Sequence, residues 1–402
     1  MSNYESLIAT APDLDVLAEA PPLPAFAEPS VAFVDALSAE LFRMPEARSY
    51  PELSALAFWM RRSSIVRLKE AHGRRHDGQL SVARGTVLHF APSNVDTIFV
   101  YSWFISLLCG NRNIVRLSTK ASVQTDLLVA AIGRVSARPE HAEIARRSLV
   151  VRYAADARTT ALLSAHCDTR VIWGGDATVA AIRQVPLPPT ATEIAFANKF
   201  SLGLFDAAGW IFASPEQKAR WIDGFFNDAY WFDQMACSSP RLILWIGSPA
   251  QVDQARDSFW PALEQKVREK GVSFGDVDYV NKRIAQDVLS IEADVSIPAA
   301  SGNDVARLWL EVPALHADAH CGAGLFFESR IAHLDALRPL LSRKVQTVSY
   351  LGMPSDQLRS FVQQAPLAGV DRFVPVGSAL DFSNVWDGFD LMTVFTREIT
   401  VA

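Results

Sequence analysis

The sequence lacks the features that mark several large classes of protein. Its four cysteines, Cys109, Cys167, Cys237 and Cys321, are far apart and form no CxxC pair, which favours free thiols in a reducing cytoplasm. Lys and Arg form no block and the net charge is -6, so no nucleic-acid partner is expected. The most apolar stretch, residues 98–108, is far shorter than the roughly 20 residues of a membrane-spanning helix, so no membrane span is expected.

The start of the chain also lacks familiar signals. Residues 1–20 have early acids and no basic start, which does not resemble a secretion signal and predicts a cytoplasmic protein. Residues 1–30 are rich in Ala, Pro and acids, with PPLPAFAEP at 21–29, and predict a wrapping arm rather than core. No GxSxG occurs, so a serine hydrolase is not expected.

From residue 80 onward, short apolar runs alternate with segments of helical periodicity. Strands are predicted at 86–90, 113–118, 148–154, 169–175 and 241–247, and helices within 31–70 and at 95–109, 123–135, 158–166, 177–184, 215–230 and 250–270. This alternation predicts an α/β protein whose parallel sheet is covered by helices on both faces. The length predicts two or three domains, which we place at 1–200, 201–370 and 371–402, the last returning to the core or to an interface.

Cys237 lies where a predicted helix ends and a predicted strand begins, in the sequence QMACSSP at 234–240. A thiol at such a junction can be exposed and close to backbone N–H dipoles, and both favour the thiolate. An isolated cysteine is more often a small buried apolar residue than a nucleophile. Cys237 therefore has two interpretations from its local sequence, structural and catalytic.

Three segments resemble one known family. They are FFNDAYWFDQMACSSPRLILWIG at 225–247, GVDRFVPVGSAL at 369–380 with WDGFDL at 386–391, and APSN at 91–94. These segments are similar to those of the LuxC-type acyl-CoA reductases. That family comprises the fatty-acid reductases of bacterial bioluminescence and is a branch of the aldehyde dehydrogenase superfamily. The resemblance implies an aldehyde dehydrogenase-like fold, with a Rossmann-type cofactor domain and an α/β catalytic domain that carries a nucleophilic Cys237.

The resemblance also implies an activity. Cys237 would take the acyl group from an acyl thioester, acyl-CoA or carrier-bound, and NADPH or NADH would reduce it to an aldehyde. Two alternatives stay open: NAD(P)+-dependent aldehyde oxidation, and a scaffold subunit without activity. Family members often self-associate, so we expect a homo-oligomer with the terminal arms as candidate interfaces, and a complex with an acyl-transferring or synthetase partner is possible.

By the same resemblance, Asn94 in the turn Pro92-Ser93-Asn94 would share an oxyanion hole with the backbone N–H of the nucleophile. Without the family, Asn94 has a different interpretation, as the N-cap of a helix that starts near Val95.

The cofactor region resembles the superfamily in two places. Arg116 stands where a ribose-binding Lys is usual, and Ser118, Thr119 and Lys120 follow it, with Thr119 in place of the Glu of NAD-selective members. Loss of that acid and gain of a cation favour NADPH, with NADH second. Gly174, Gly175 and Thr178 lie in a turn that would pass beneath the pyrophosphate. The alternatives are solvated charges at a strand end and an ordinary glycine turn.

Two further patterns bear on the chemistry. Hydrolytic relatives carry a general-base Glu about thirty residues before the nucleophile, but residues 197–205 contain no carboxylate, and Glu193 and Asp206 lie just outside that window. The absence of this base favours an enzyme that keeps the acyl group on its cysteine until it is reduced, rather than one that hydrolyses it. His316, His320 and Cys321 have zinc-like spacing, but the Glu of an HExxH motif is missing, so no metal is predicted and their roles stay open.

Overall fold

The computed structural model describes residues 4–75, 79–298 and 302–401. It contains two compact units, each of which is described by itself: unit 1 is residues 1–198 with 382–402, and unit 2 is residues 199–381. The predicted domains were a cofactor domain, a catalytic domain and a returning segment, each defined by its function. A division into compact units does not test those functions, so this domain assignment stays a prediction.

The helices and strands have the following bounds. The α-helices are α1 (Leu14–Glu19), α2 (Glu28–Arg43), α3 (Pro51–Trp59), α4 (Arg62–Arg75), α5 (Ile98–Leu108), α6 (Val123–Ser136), α7 (Ala142–Ala145), α8 (Ala157–Ala165), α9 (Asp176–Arg183), α10 (Ala207–Phe212), α11 (Pro215–Tyr230), α12 (Pro249–Glu269), α13 (Asp276–Glu292), α14 (Ser355–Gln364) and α15 (Leu391–Val394). The strands are β1 (Glu5–Ser6), β2 (Leu80–Ala83), β3 (Thr86–Phe90), β4 (Arg112–Leu117), β5 (Ser148–Arg152), β6 (Thr169–Trp173), β7 (Thr192–Phe196), β8 (Phe200–Asp206), β9 (Pro240–Ile246), β10 (Val295–Ser296), β11 (Ala306–Leu310), β12 (Leu325–Ile331), β13 (Val345–Leu351), β14 (Arg372–Pro375), β15 (Val385–Trp386), β16 (Phe389–Asp390) and β17 (Thr396–Ile399). Short 3-10 helices cover Glu46–Ser49, Pro139–His141, Trp231–Gln234, Ala317–Ala319 and Leu334–Leu340.

Unit 1 is built on a six-stranded sheet in the order β1-β5-β4-β3-β6-β7, parallel except for β1. Leu88 and Phe90 of β3 face a cluster that α8 and α9 share. His89 turns to the other face, where its Nδ1 is 2.8 Å from Ser102 Oγ of α5. Helices therefore cover both faces, as predicted. Sheets of this order bind ligands where the strand order reverses, at the carboxyl ends of β3 and β6.

The N-terminal arm contributes to the core, so the expectation that it only wraps the protein is wrong. β1 extends the edge of the sheet by pairing with β5, and Leu17 is buried in the cluster beneath the sheet. The Leu23 N–H donates to the Gly110 carbonyl at 3.0 Å. Gly110 has φ +87°, and a Cβ there would lie 1.9 Å from the Leu23 carbonyl oxygen, so only glycine allows the arm to pass.

Residues 382–401 complete unit 1. β17 pairs antiparallel with β2, and Trp59 stacks on Phe382 with ring centroids 5.4 Å apart. The buried Asn111 side chain donates to the Phe395 carbonyl at 2.9 Å. Asn111 thus anchors the end of the chain to the sheet.

Unit 2 is built on a seven-stranded sheet in the order β10-β11-β12-β9-β8-β13-β14, parallel except for β10. One face of this sheet packs against α10, α11 and α12, and the other packs against α13 and α14. Within the described ranges, no helix combines the length and the apolar character that a membrane crossing requires.

Candidate active site

Cys237 lies in a turn at the amino end of the unit 2 sheet, directly before β9. Its side chain is half-buried. Ser201 at the start of β8 fixes the turn, because its Oγ donates to the Cys237 carbonyl at 2.6 Å and accepts the Thr347 N–H at 3.1 Å. The Ser201 hydroxyl therefore ties the Cys237 carbonyl to β8 and is itself held by the neighbouring β13.

The three residues that lead into this turn have left-handed backbone. Phe232, Asp233 and Gln234 have φ of 54°, 51° and 63°. Such conformations cost about 1–3 kcal/mol each for non-glycine residues and persist only where the surroundings impose them. Here the buried Gln234 side chain donates to the Pro240 and Leu325 carbonyls at 2.9 and 3.0 Å. The strained turn thus determines the direction in which the backbone enters the turn at Cys237.

Two β-bulges flank Ser201. On β13, Gln346 and Thr347 together lie opposite Ser201. On β9, Arg241 is the extra residue between the pairs that Ser201 and Leu202 form. A bulge changes the direction of the side chain of its extra residue. The two bulges therefore determine which side chains of β13 and β9 can point toward the turn that carries Cys237.

The re-aimed side chains act on the Cys237 sulfur. Gln346 Nε2 donates to Cys237 Sγ at 3.2 Å. Burial lowers the pKa of the Arg241 guanidinium, and attraction to the Cys237 thiolate opposes that shift. The same attraction favours the thiolate, which is the nucleophilic form. Arg241 Nε has no acceptor among the described residues. Sequence reasoning missed Gln346, Arg241 and Ser201.

The other three thiols are poorly suited to nucleophilic attack. Burial raises the pKa of Cys109, raises that of Cys167 to about 12, and raises that of Cys321. A thiol with a raised pKa is protonated at neutral pH and reacts slowly. Cys237 is the cysteine whose surroundings favour reaction.

His320 is a structural residue. Its Nε2 lies 2.7 Å from the Leu325 carbonyl, and its Nδ1 accepts the Gly322 N–H at 3.1 Å. Burial and the neighbouring Arg241 guanidinium lower the pKa of His320 to about 3, so the ring is neutral at physiological pH. Because the backbone engages both nitrogens, His320 is neither a proton donor nor a ligand. In the described part of the chain, no group of three His, Cys, Asp or Glu side chains could hold a metal ion.

The unit 1 candidates share one edge of its sheet. β4, β3 and β6 are adjacent and parallel, so the loops that follow them meet at their carboxyl ends. Most candidates lie in these loops: Pro92, Ser93 and Asn94 after β3, Ser118, Thr119 and Lys120 after β4, and Gly174 and Gly175 after β6. Arg116 lies within β4, and Thr178 in the first turn of α9.

Asn94 is exposed and does not cap the helix. The N-cap of α5 is Thr97, three residues later, without a side-chain cap hydrogen bond. The helix-cap interpretation of Asn94 is therefore wrong, and its proposed oxyanion role stays open.

The cations near β4 differ in their freedom to bind a ligand. Arg116 is half-buried, donates to the Tyr153 carbonyl at 3.2 Å and lies 5.2 Å from the Tyr153 ring centroid. Burial lowers the pKa of Arg116. Thr119 and Lys120 are exposed, and the Lys120 N–H donates to Ser118 Oγ at 3.1 Å. Lys120 is therefore better placed than Arg116 to bind the phosphate group of a ligand that enters from solvent.

The glycine turn after β6 leads directly into a helix. Gly174 donates its N–H to the Phe196 carbonyl at 3.1 Å, and Gly175 is the N-cap of α9. The N–H groups at a helix N-terminus favour an anion, although Asp176 in the first turn opposes one.

The two carboxylates beside the window 197–205 are engaged elsewhere. Glu193 pairs with Arg170 at 2.5 Å and with Arg183 at 2.8 Å. Asp206 caps α10 and ends β8, whereas Cys237 lies at the start of the neighbouring parallel strand. Asp206 lies five residue steps along β8 from Ser201, which holds the turn of Cys237, and each step is about 3.3 Å. Asp206 is therefore too distant to act as a base on water at Cys237.

Solved structures confirm the predicted fold. Methylmalonate-semialdehyde dehydrogenase (DddC) from Oceanimonas doudoroffii matches with a TM-score of 0.65 at 11% identity, over 97% of this chain and 87% of that one. The NAD-dependent benzaldehyde dehydrogenase from Corynebacterium glutamicum matches with a TM-score of 0.63 at 13% identity, over 96% and 86%. Aldehyde dehydrogenase 21 from Physcomitrella patens matches with a TM-score of 0.66 at 9% identity, over 96% and 88%. The chain has the aldehyde dehydrogenase fold.

Sequence comparison gives the family. No curated protein matches the chain. Residues 64–278, more than half of the chain, match the family described as acyl-CoA reductase (LuxC), and this range contains Asn94, the cofactor candidates and Cys237. The chain therefore belongs to the LuxC family of acyl-CoA reductases.

Proposed function

We propose that the protein reduces an acyl thioester, acyl-CoA or carrier-bound, to an aldehyde through an acyl-cysteine on Cys237. The observation that carries this proposal is the surroundings of the thiol. Gln346 donates a hydrogen bond to Cys237 Sγ and the Arg241 cation attracts the thiolate, whereas burial raises the pKa of the other three thiols.

In the proposed cycle, the Cys237 thiolate attacks the thioester carbonyl, and the resemblance assigns the oxyanion to Asn94 and the Cys237 N–H. Donors of this kind stabilise a developing oxyanion by roughly 3–4 kcal/mol each. The carbon–sulfur bond to the original thiol breaks, which leaves the acyl group on Cys237. Hydride addition converts this thioester to a thiohemiacetal, which collapses to the aldehyde and regenerates the thiolate.

Bound NADPH, with NADH as second choice, supplies that hydride. The exposed Lys120 and Thr119 fit a ribose phosphate, and the Gly174–Gly175 turn at the start of α9 fits a pyrophosphate. Glu193 is paired with two arginines and Asp206 caps a helix, which supports a slow loss of the acyl group to water. Reduction is therefore favoured over hydrolytic aldehyde oxidation.

Intact-mass analysis after incubation with a panel of acyl-CoAs tests the proposal. We expect the wild-type protein to carry one acyl adduct, which peptide mapping locates on Cys237. We also expect NADPH to release this acyl group as aldehyde faster than NADH does. Cys321→Ala is the matched control, because Cys321 is the other half-buried thiol, and it keeps the adduct. An adduct on Cys237→Ala would contradict the nucleophile, and faster discharge by NADH would contradict the cofactor preference.

A further inference from the structure

Thr347 lies directly beside Gln346, whose side chain donates to the Cys237 sulfur. In a regular strand, neighbouring side chains point to opposite faces of the sheet. In β13 both residues lie opposite Ser201, within the bulge, and Thr347 Oγ1 donates to Gln346 Oε1 at 3.5 Å. Both side chains are buried. The bulge therefore brings a hydroxyl to the carbonyl end of the amide whose other end contacts the thiol.

Arg372 binds the same hydroxyl from the neighbouring strand. It is the register partner of Thr347 in the parallel pair of β13 and β14, and its Nε donates to Thr347 Oγ1 at 2.9 Å. The guanidinium also donates to the Ala379 carbonyl, which fixes the side chain at a second point. Hydrogen bonds from a charged donor are stronger than those between neutral groups. A cationic donor therefore occupies one lone pair of the Thr347 hydroxyl.

These contacts determine the direction of the hydrogen bonds. A hydroxyl has one hydrogen to donate, and in the described part of the chain the acceptor for the Thr347 hydroxyl is Gln346 Oε1. If the Gln346 amide were flipped, its NH2 group would face the hydroxyl, and the hydroxyl hydrogen would lose this acceptor. Burying a donor without an acceptor is unfavourable. The hydroxyl therefore keeps Oε1 on its own side and directs Nε2 to Cys237 Sγ, 3.2 Å away.

We propose that Thr347 and Arg372 are positioning residues for the nucleophile, which hold the Gln346 amide with its N–H groups toward Cys237. A thiolate can only accept hydrogen bonds, so the flipped amide would place its oxygen against the negative sulfur. Hydrogen bonds in a chain also polarise one another, so the guanidinium strengthens the donation that reaches the sulfur. The inference rests on the proposed role of Cys237 as the nucleophile and adds two residues that act on it through Gln346.

The rate at which iodoacetamide alkylates Cys237, measured against pH, tests the role of the hydroxyl. Thr347→Val replaces the hydroxyl by a methyl group, and we expect alkylation about fivefold slower at pH 7. The whole rate curve moves to higher pH and reaches a similar plateau, because the thiol then ionises less readily. Thr347→Ser keeps a hydroxyl and restores most of the rate. Ser349→Ala is the matched control and leaves the curve unchanged, because it removes a buried β13 hydroxyl that has no hydrogen-bond partner among the described residues.

A double-mutant cycle tests whether Arg372, whose side chain is half-buried, acts through Thr347. Arg372→Met alone moves the curve in the same direction, whereas in the Thr347→Val protein it has no further effect. A merely structural role would change the rate by the same factor at every pH.

A wild-type curve in folded Thr347→Val or folded Arg372→Met, or additive losses in the double variant, would overturn the proposal. Alkylation needs neither an acyl donor nor a cofactor, so these results do not depend on acyl transfer. A protein with the expected alkylation curves that forms no acyl adduct on Cys237 would instead overturn the proposed function and leave the positioning of the thiol intact.

Discussion

The surroundings of the Cys237 sulfur depend on residues far away in the sequence. Gln346 donates to Cys237 Sγ from β13, and Arg241 lies beside the thiolate on β9. Both positions are set by bulges against Ser201 of β8. A β-bulge results from the register between strands, so the interaction is absent until all three strands have paired.

Replacing Gln346 by Leu removes this hydrogen bond and keeps a side chain of similar size. A hydrogen bond to a charged group contributes about 1.5–3 kcal/mol, and 1.4 kcal/mol corresponds to a factor of ten. We expect iodoacetamide to alkylate Cys237 about 10-fold more slowly in Gln346→Leu than in wild type at pH 7. Mass spectrometry of the Cys237 peptide over time gives the rate.

The same digest contains the internal control. The pKa of Cys321 depends on burial and on the charges of Lys282 and Asp278. We therefore expect its alkylation rate to stay unchanged in Gln346→Leu, whereas a general loosening of unit 2 would raise it. An unchanged rate at Cys237 would show that the Gln346 amide does not stabilise the thiolate.

The candidate site was predictable only in part. Cys237 and Asn94 were predicted because their local sequences resemble a family. Gln346 and Arg241 carry no local signal, because the strand pattern around each is ordinary and only the register exposes the bulge. Pro240 next to Arg241 is the one hint, since proline within a sheet is confined to edges, strand starts and bulges.

At the scale of elements, α11 is held at its carboxyl end by a buried acid. Asp228 in its last turn accepts the Gly377 N–H at 2.7 Å and the Ala379 N–H at 3.0 Å. Gly224 lies one turn earlier, and a Cβ there would approach Gly377 Cα to 2.9 Å. The helix therefore lies directly against the loop after β14, and its last turn positions the 3-10 helix that leads to Cys237.

The pKa of Asp228 makes this contact dependent on pH. Burial raises its pKa from 3.8 to about 7, against the two N–H donors, so the folded state binds the proton more tightly than the unfolded chain does. The stability that this proton confers is complete below about pH 4 and is lost as the pH rises to about 7. We expect the difference in unfolding free energy between wild type and Asp228→Asn to fall by about 1.4 kcal/mol per pH unit across this window.

Urea unfolding at several pH values between 4.5 and 7, at constant ionic strength, measures this difference. Asp228→Asn is the suitable reference because it keeps the size of the side chain and does not titrate, so the other acids cancel in the comparison. A difference that is constant or grows with pH would mean that the carboxyl is ionised in the folded protein throughout.

The order of helices and strands was predictable because their hydrophobic periods are long and clear. Helix 215–230 was predicted with its observed ends, because Pro215 follows the N-cap Ser214 and the apolar stripe continues to Tyr230. Helix 95–109 begins three residues later than predicted, since Asp96 and Thr97 form a turn before Ile98. The burial of the N-terminal arm was not predicted, because Leu17 lies among acids and Phe26 in a stretch rich in Pro and Ala. Both side chains are buried only by contact with distant parts of unit 1.

At the scale of the whole molecule, unit 2 is a continuous insertion into unit 1. Its two hydrophobic clusters lie on the two faces of its own sheet, and Lys199 near its start pairs with Asp371 near its end at 3.1 Å. Unit 1, by contrast, consists of two pieces of chain. Its second piece supplies β17 and the buried side chains of Trp386, Leu391 and Phe395.

This asymmetry predicts how the chain behaves when it is divided. Burial of one large apolar side chain contributes about 1.5–3 kcal/mol, so loss of these three side chains removes about 4.5–9 kcal/mol. That amount is comparable to the 5–15 kcal/mol by which a typical protein is stable. We expect residues 199–381 alone to unfold cooperatively on heating, and residues 1–198 alone to show no cooperative transition by circular dichroism. Joining 1–198 to 382–402 through a short Gly/Ser linker restores the transition, which separates loss of the second piece from loss of unit 2. A cooperative transition in residues 1–198 alone would mean that the returning segment packs on a unit already stable without it.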